Sequence, residues 1–202
     1  MTLLIQTFIE SPLSNNNYVV IDPQSKEAIL IDCSAYNPAV LDYIGEKGAT
    51  LKYILITHTH FDHILGVNEM MKKHAVPAFA NAADFPLLKD MNGWLSQMGY
   101  PRMIIPDIKP LPDNLKLGNI PITVIQTPGH TPGGVCYLIQ NHLFSGDTLF
   151  KGTYGRTDIP MSNPATMRTS LQNLVNQLPE DTFVYPGHGL PTTIAAEKDF
   201  YS

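Results

Sequence analysis

The chain has 202 residues, of which 44% are hydrophobic and 15% are charged, and its formal net charge is −5. This length suits a single domain spanning residues 1–202, and no apolar run approaches the roughly 18 residues of a membrane-spanning helix. The acidic balance without a basic run excludes nucleic acid as an expected partner, and residues 1–6 lack a signal-peptide pattern. We therefore expect a cytoplasmic protein, monomeric or a small homo-oligomer, with neither nucleic-acid nor membrane partners.

The first predicted elements are two strands joined by a turn. Residues 19–21 and 28–31 are apolar runs of the β type, and residues 22–25 between them have the composition of a turn. This pattern predicts a hairpin. Asp32 ends the second run, where its carboxylate either reaches a site built from neighbouring loops or caps the turn.

A helix and a buried strand come next. Asn37 and Pro38 are typical of an N-cap and a first helical residue, and Gly48 would end the helix. The apolar run at residues 53–56 then predicts a buried strand.

Directly after that strand, residues 57–63 place three imidazoles and a carboxylate close together: His58, His60, Asp62 and His63. If the backbone stays extended past residue 57, the first two histidines point the same way and can share one ion. The other two residues lie at the start of a new turn and face a second position. Such donors suit zinc or another borderline divalent ion, whereas the alternative is a solvated polar loop. We predict a metal site.

Apolar residues then recur at helical spacing, at Ile64, Val67, Met70 and Met71. They predict one helix whose first turn holds Asp62 and His63. His74, at the far end of this helix, is expected to be a surface residue beside the negative helix terminus.

Residues 81–114 mix large apolar side chains with helix breakers such as Pro86 and Gly93. We expect short helices and loops here. They either pack locally or form a lid that supplies an apolar wall to a substrate pocket.

Three later loops carry further histidine and aspartate residues after predicted strands. The strand at 120–125 leads to His130, the hairpin of 135–139 and 142–145 leads to Asp147, and the strand at 183–185 leads to His188. A helix over 163–178 precedes the last strand. His142, within the hairpin, is expected to have a structural or exposed role. Cys33 and Cys136 are expected to be reduced, buried and inert.

These residues, in this order, resemble the five motifs of the metallo-β-lactamase superfamily. Asp32 matches the first motif, residues 58–63 the second, and His130, Asp147 and His188 the third, fourth and fifth. The resemblance covers most of the chain. It implies an α/β fold in which two mixed sheets are flanked by helices, an αββα sandwich, with the metals at one edge.

The resemblance also implies a ligand set for two divalent ions, zinc first, with iron or manganese as alternatives. One ion is held by residues matching His58, His60 and His130, the other by those matching Asp62, His63 and His188. Asp147 would bridge both ions, and Asp32 would support the ligands from behind.

Within the superfamily, residues 144–150 followed by Gly155 and Arg156 resemble the hydroxyacylglutathione hydrolases, the glyoxalase II group. Full-length members carry an extra helical domain, whereas this chain ends shortly after His188, so it is closer to the short single-domain proteins of that kind. Arg156 matches the basic residue that contacts the thiol carrier, although a surface salt bridge is the alternative.

The expected activity is hydrolysis of a small acyl thioester by a metal-bridging hydroxide that Asp62 would orient. A thiolate with a pKa near 8.5 departs without much acid assistance, which favours a thioester. Trp94 and Met98 would cover the acyl group.

A different reaction class remains open. Residues 155–158 also resemble the persulfide dioxygenases of the superfamily, which use one iron held by residues matching His58, His130 and Asp147. A binding module without catalysis is disfavoured by a complete and open metal site.

Overall fold

The computed structural model describes residues 2–201 and places most of their strands in two six-stranded sheets. Across the first sheet the order is β1 (Leu4–Glu10), β2 (Asn15–Asp22), β3 (Glu27–Ile31), β4 (Thr50–Leu55), β5 (Ala78–Ala80) and β6 (Lys109–Pro110). Across the second it is β14 (Thr192–Thr193), β13 (Phe183–Pro186), β10 (His142–Gly146), β9 (Val135–Ile139), β8 (Ile120–Gln126) and β7 (Lys116–Leu117). A short ribbon pairs β11 (Leu149–Phe150) with β12 (Thr153–Tyr154).

Helices cover the outer faces of both sheets. They are α1 (Pro38–Glu46), α2 (Phe61–Ile64), α3 (Val67–His74), α4 (Phe85–Gln97), α5 (Pro164–Gln177) and α6 (Ile194–Tyr201), and a single 3₁₀ turn at Ala82–Asp84 precedes α4. Within residues 2–201 no helix combines the length and the apolar character needed to cross a bilayer.

The first sheet is buried on both faces because its strands carry apolar side chains on both sides of the pleat. In β2, Val19 and Ile21 belong to a cluster with residues of α1 and α3, whereas Tyr18 and Val20 pack between the sheets. From the second sheet, Phe144 joins the layer between the sheets. The predicted αββα sandwich is confirmed.

Helix α5 covers the second sheet in the way its sequence predicts. The Asn163 side chain accepts a hydrogen bond from the Thr166 N–H and caps the helix. Along one side, Met167 and Leu171 pack against Leu143 of β10. This outer layer fixes the ends of β10 and β13, and functional loops follow both strands.

The single helix predicted after the histidine cluster is instead two helices, α2 and α3, with Gly66 between them. The Gly66 N–H donates to the Cys33 carbonyl at 2.8 Å, and a Cβ at Gly66 would collide with the Ala35 backbone. This close approach requires glycine and interrupts the helix. As a result, Asp62 and His63 lie on a short helix held directly against the loop that follows β3.

The prediction of short helices and loops after residue 81 is wrong for α4, a 13-residue helix. Pro86 lies in its first turn, where no backbone donor is needed, and the Cα of Gly93 faces open space. Packing of Leu87, Met91 and Leu95 in one buried cluster with Phe61 outweighs the low helix propensity of the glycine. Helix α4 therefore forms a rigid wall beside α2.

Candidate metal centre

The predicted donors all follow strands at one edge of the sandwich, Asp62 and His63 on the short helix α2 and the others on loops. His58, His60, Asp62 and His63 follow β4, and one donor follows each of β8, β10 and β13: His130, Asp147 and His188. Strands β3 and β4 run parallel to each other, as do β10 and β13, so their carboxyl ends meet at the same edge. The topology thus brings all seven residues together.

Their donor atoms form three overlapping groups, each with all atoms within 4.8 Å of one another. The groups are His58, His60 and His130; His58, His63 and Asp147; and Asp62, His63 and His188. The first and the third are the two sets implied by the resemblance. These two sets share no residue, and the second group links them, so two neighbouring positions are available for ions.

Asp147 lies between the two sets. Its Oδ1 is 3.5 Å from His63 Nε2, and its Oδ2 is 3.4 Å from His130 Nε2 and 3.6 Å from His188 Nε2. Two ligands bound tetrahedrally to one zinc ion at roughly 2.1 Å are about 3.4 Å apart. The carboxylate is thus placed to contact both positions.

Several donor atoms have no hydrogen-bond partner among the described residues although they are buried. These atoms are Nε2 of His58, His60 and His63, and Oδ1 of Asp147. Buried polar atoms without partners are costly, so the orphan atoms of His58, His63 and Asp147, which belong to one donor group, indicate that something else satisfies them. His60 instead turns Nδ1 towards the cluster, 2.9 Å from His130 Nε2. Imidazole nitrogen and carboxylate oxygen are the donors that divalent transition ions prefer, and the cluster fits such ions.

Asp32 holds one of these histidines from behind. Its Oδ2 is 2.8 Å from His63 Nδ1 and accepts from the Thr57 hydroxyl at 2.9 Å, while its Oδ1 accepts from the Thr57 N–H at 2.8 Å. A proton on Nδ1 leaves Nε2 of His63 free to face the ions. Of the two roles considered for Asp32, the structure places it at the site.

His130 is oriented by a backbone carbonyl. Its Nδ1 lies 2.7 Å from the Arg156 carbonyl oxygen, so Nδ1 donates there and Nε2 faces Asp147. The same segment carries the Arg156 side chain, which pairs with Asp158 at 2.9 Å and is 71% exposed. Arg156 thus makes the surface salt bridge considered for it, and it also lines the cavity over the metal centre.

The charges within the cluster are mutually dependent. Burial and the neighbouring imidazoles lower the pKa of His58 well below its usual value, and burial lowers the pKa of His60 to about 3. Burial also disfavours the charged form of His63, but the carboxylates of Asp32, Asp147 and Asp62 outweigh it and raise its pKa well above normal. The three carboxylates thus favour a positive charge at this place, as a divalent ion would supply.

Asn15 is a residue of the site that the sequence did not single out. It is fully buried at the start of β2, and its Nδ2 donates to Asp62 Oδ2 at 3.1 Å. The adjacent Asn16 N–H donates to the Gly187 carbonyl at 2.7 Å, next to His188. The one available signal was three consecutive asparagines at the start of a strand, where asparagine is disfavoured.

Asp84 is a second residue that the sequence did not reveal. It is 0% exposed, and its carboxylate accepts from the Thr59 N–H at 3.0 Å, the Thr131 hydroxyl at 3.0 Å and the Gly133 N–H. Burial raises its pKa, while these hydrogen bonds act in the opposite direction. One carboxylate thus joins the loop of His58 and His60 to the loop of His130.

A cavity of about 460 Å³ opens over the donor cluster. Trp94, Met98 and Tyr100 line it on one side, and the Trp94 ring lies 4.8 Å from that of His60. Arg156 is the one charged side chain outside the donor cluster among the described residues that line it. The three residues predicted to contact the substrate, Trp94, Met98 and Arg156, therefore border one space together with the donors.

Two histidines expected to have other roles lie outside the cluster. The His74 ring stacks on Tyr36 with centroids 6.1 Å apart, and the His142 ring stacks on Phe183 at 5.6 Å. We expect His74→Ala and His142→Ala to leave metal content unchanged, as measured by elemental analysis of the purified variants. A lower metal content in either variant would place that histidine in the ligand set.

An αββα sandwich with such a donor cluster at one edge defines a class of metal-binding α/β proteins. The family model of the Metallo-beta-lactamase superfamily matches residues 11–188. The probable metallo-hydrolase YqgX of Bacillus subtilis is 34% identical, over 93% of this chain and 91% of its own length. The chain belongs to the metallo-beta-lactamase superfamily, whose members bind divalent metals, and we class it as a metallo-hydrolase.

Solved structures agree with this assignment. The chain is similar to the B3 metallo-beta-lactamase BLEG-1, with a TM-score of 0.87 and 32% identity over 98% of both chains. It is also similar to TTHA1623 in a di-iron-bound form, with a TM-score of 0.81 and 31% identity over 95% of this chain and 96% of the other. A third relative, a hydroxyacylglutathione hydrolase of Hahella chejuensis, is 36% identical over 88% of this chain but only 63% of its own length.

Proposed function

We propose that this protein is a dinuclear metal-dependent hydrolase of thioesters, of the hydroxyacylglutathione hydrolase type. The observation that carries the proposal is the completeness of both donor sets, with the Asp147 carboxylate between them. A hydrolase with two ions needs both positions, whereas chemistry at one iron needs only one. The similarity to the Hahella chejuensis hydroxyacylglutathione hydrolase supports the same substrate class.

Two divalent ions at this centre would supply Lewis-acid chemistry, polarising the substrate carbonyl and lowering the pKa of water towards 7. The remaining work falls to the side chains. Asn15 fixes the Asp62 carboxylate by donating to Oδ2, and this carboxylate would accept a hydrogen bond from the attacking water and orient it. Asp62 is the proposed catalytic residue.

The lining of the cavity favours thioesters over amides. Outside the donor cluster, the described residues around it include no lysine, glutamate or cysteine, and the side-chain proton donors to a leaving group are the weakly acidic groups of Tyr100, Tyr154 and Arg156. An amine must be protonated as it departs, whereas a thiolate with a pKa of roughly 8.5 leaves readily. A thioester therefore suits this site best.

A persulfide dioxygenase using one iron is the alternative. His58, His130 and Asp147 offer two imidazoles and one carboxylate, and His130 Nε2 lies 3.4 Å from Asp147 Oδ2. The di-iron-bound form of the similar protein TTHA1623 also makes iron a candidate in place of zinc.

One experiment separates these functions. Elemental analysis of the purified protein is combined with assays of thiol release from a glutathione thioester and of oxygen uptake with glutathione persulfide. Two ions per chain with thiol release support the hydrolase. One iron per chain with oxygen uptake, and no thiol release, would reject it in favour of the dioxygenase.

Arg156→Ala should raise KM for a thioester of an anionic thiol carrier by about three- to fivefold, with little change in kcat, because an exposed cation contributes equally to ground-state and transition-state binding. Steady-state kinetics with an anionic and a neutral carrier measure the effect. Arg168→Ala, which removes an exposed cation from α5, is the matched control and should change neither value. Equal losses with both carriers would mean that Arg156 supports the fold instead.

A further inference from the structure

A second cavity, of about 430 Å³, lies next to the one over the metal centre. Phe61 and Tyr100 line both cavities, and their ring centroids are 5.0 Å apart. Leu65, Leu95 and Pro101 line the far side of the second cavity. The two spaces are thus adjacent and share these two aromatic side chains as part of their lining.

The segment of residues 11–13, between β1 and β2, runs along both spaces. Leu13 lines the cavity over the metals, whereas Ser11 and Pro12 line the second one. Phe61 lies directly between two donor residues, His60 and Asp62. The residues that line the cavity over the metals therefore continue, through Phe61 and residues 11–13, into the lining of the second cavity.

The second cavity is apolar. Of the described residues around it none is charged, and the Ser34 hydroxyl already donates to Asn17 Oδ1 at 3.0 Å. Large apolar side chains are exposed along the path, with Leu13 46% exposed and Leu65 38% exposed. Exposed apolar surface that continues a ligand cavity marks a place where apolar ligand atoms are bound.

Building on the proposed function, we propose that this second cavity holds the distal part of a linear, apolar acyl chain whose thioester carbonyl lies at the metal centre. The preferred substrates are then thioesters of medium-chain fatty acids rather than of short hydroxy acids. A short hydroxyacyl group, whose hydroxyl lies beside the carbonyl, would not extend into this cavity and would gain nothing from its apolar lining. Each methylene that leaves water for this space can raise kcat/KM by up to about fourfold.

The test uses thioesters of one neutral carrier, N-acetylcysteamine, so that Arg156 plays no part. The acyl groups are acetyl, lactoyl, hexanoyl and decanoyl, and kcat/KM is measured for the protein loaded with metal. We expect kcat/KM to rise at least tenfold from acetyl to decanoyl. If acetyl and lactoyl thioesters react as fast as the longer ones, the acyl-chain proposal is overturned while the thioesterase proposal stands. No hydrolysis of any thioester would overturn both.

A matched pair of variants locates the effect. Leu65→Gln places an amide in the second cavity and should lower the decanoyl-to-acetyl ratio of kcat/KM at least threefold. Ile104→Gln, at a side chain that is 82% exposed and lines neither cavity, should leave the ratio unchanged. Metal content and melting temperature establish that both variants are folded. An unchanged ratio in folded Leu65→Gln would overturn the proposal. If Leu65→Gln does not fold, the wild-type chain-length series decides alone.

Discussion

Asp147→Ala is expected to lose both metal ions and all measurable turnover. The carboxylate lies within 3.6 Å of donors from both sets, since it approaches His63 through Oδ1 and both His130 and His188 through Oδ2. The carboxylate is also held in its charged form. Burial opposes ionisation, but His63 and the other imidazoles hold the pKa of Asp147 well below its usual range. Its removal takes a ligand from both positions at once.

The expected loss of activity in Asp147→Ala can be judged from the effect of removing groups that only support metal ligands. Removing a group that merely supports a ligand lowers metal affinity or activity by roughly 10- to 100-fold, so loss of a shared ligand should exceed 100-fold in kcat. Elemental analysis after dialysis, together with thioester turnover, measures both effects. Asp199→Ala, at an exposed carboxylate of α6, is the control and should keep two ions.

The outcomes are distinct. Retention of full metal content by Asp147→Ala would show that the bridging assignment is wrong. Loss of one ion would assign Asp147 to a single position. Because the variant removes buried negative charge from among histidines, its melting temperature should be compared with that of the ion-free wild-type protein.

The donor residues were predictable because four of the seven lie within six consecutive positions of the sequence. His58, His60, Asp62 and His63 lie within one short segment after an apolar run, and the later donors share its pattern of a loop after a strand. The αββα layers were implied by the family resemblance, and the continuous apolar run in β2 agrees with them, since apolar residues on both of its faces require a covering layer on each side. These features depend on neighbours in the sequence.

What escaped prediction depends on contacts between distant segments. Helix α4 was misjudged because Pro86 and Gly93 indicate breaks locally, whereas its helical form is stabilised by packing against Phe61. Asn15 gains its role only when folding brings β2 next to Asp62, which is 47 positions away in the sequence. Similarly, Asp84 lies 47 positions from Thr131. No local pattern distinguishes such a carboxylate from one that caps a helix.

Asp84→Asn should weaken binding of the ion proposed at His58, His60 and His130 and leave binding of the other proposed ion largely intact. The Asp84 carboxylate accepts through both oxygens, from the Gly133 N–H on Oδ1 and from the Thr59 N–H on Oδ2. An asparagine has one carbonyl oxygen, so in either orientation its NH₂ group faces a buried backbone donor. That unsatisfied donor costs roughly 1 to 3 kcal/mol and displaces one of the two loops.

The second donor set is supported by other residues. Asp32 holds His63 and Asn15 holds Asp62, and neither is among the hydrogen-bond partners found for Asp84 within residues 2–201. We therefore expect affinity for the first ion to fall by about 10- to 100-fold, as for other groups that orient metal ligands, with the second ion less affected. Titration of ion-free protein with zinc against a competing chelator resolves the two steps.

A control separates this positioning role from general destabilisation. Thr192 donates a buried hydroxyl hydrogen bond to Glu197 Oε1 at 2.7 Å, away from the donor cluster, and Thr131 donates one to Asp84 Oδ2 at 3.0 Å. Thr192→Val should lower the melting temperature without changing the affinity for either zinc ion. Thr131→Val should lower the affinity for the first zinc ion, as Asp84→Asn does, but by a smaller factor. Asp84 would stabilise the fold as a whole, rather than orient the ligands of one ion, in either of two cases. In the first, Asp84→Asn lowers the affinity for both ions equally; in the second, Thr192→Val lowers the affinity for the first ion as much as Asp84→Asn does.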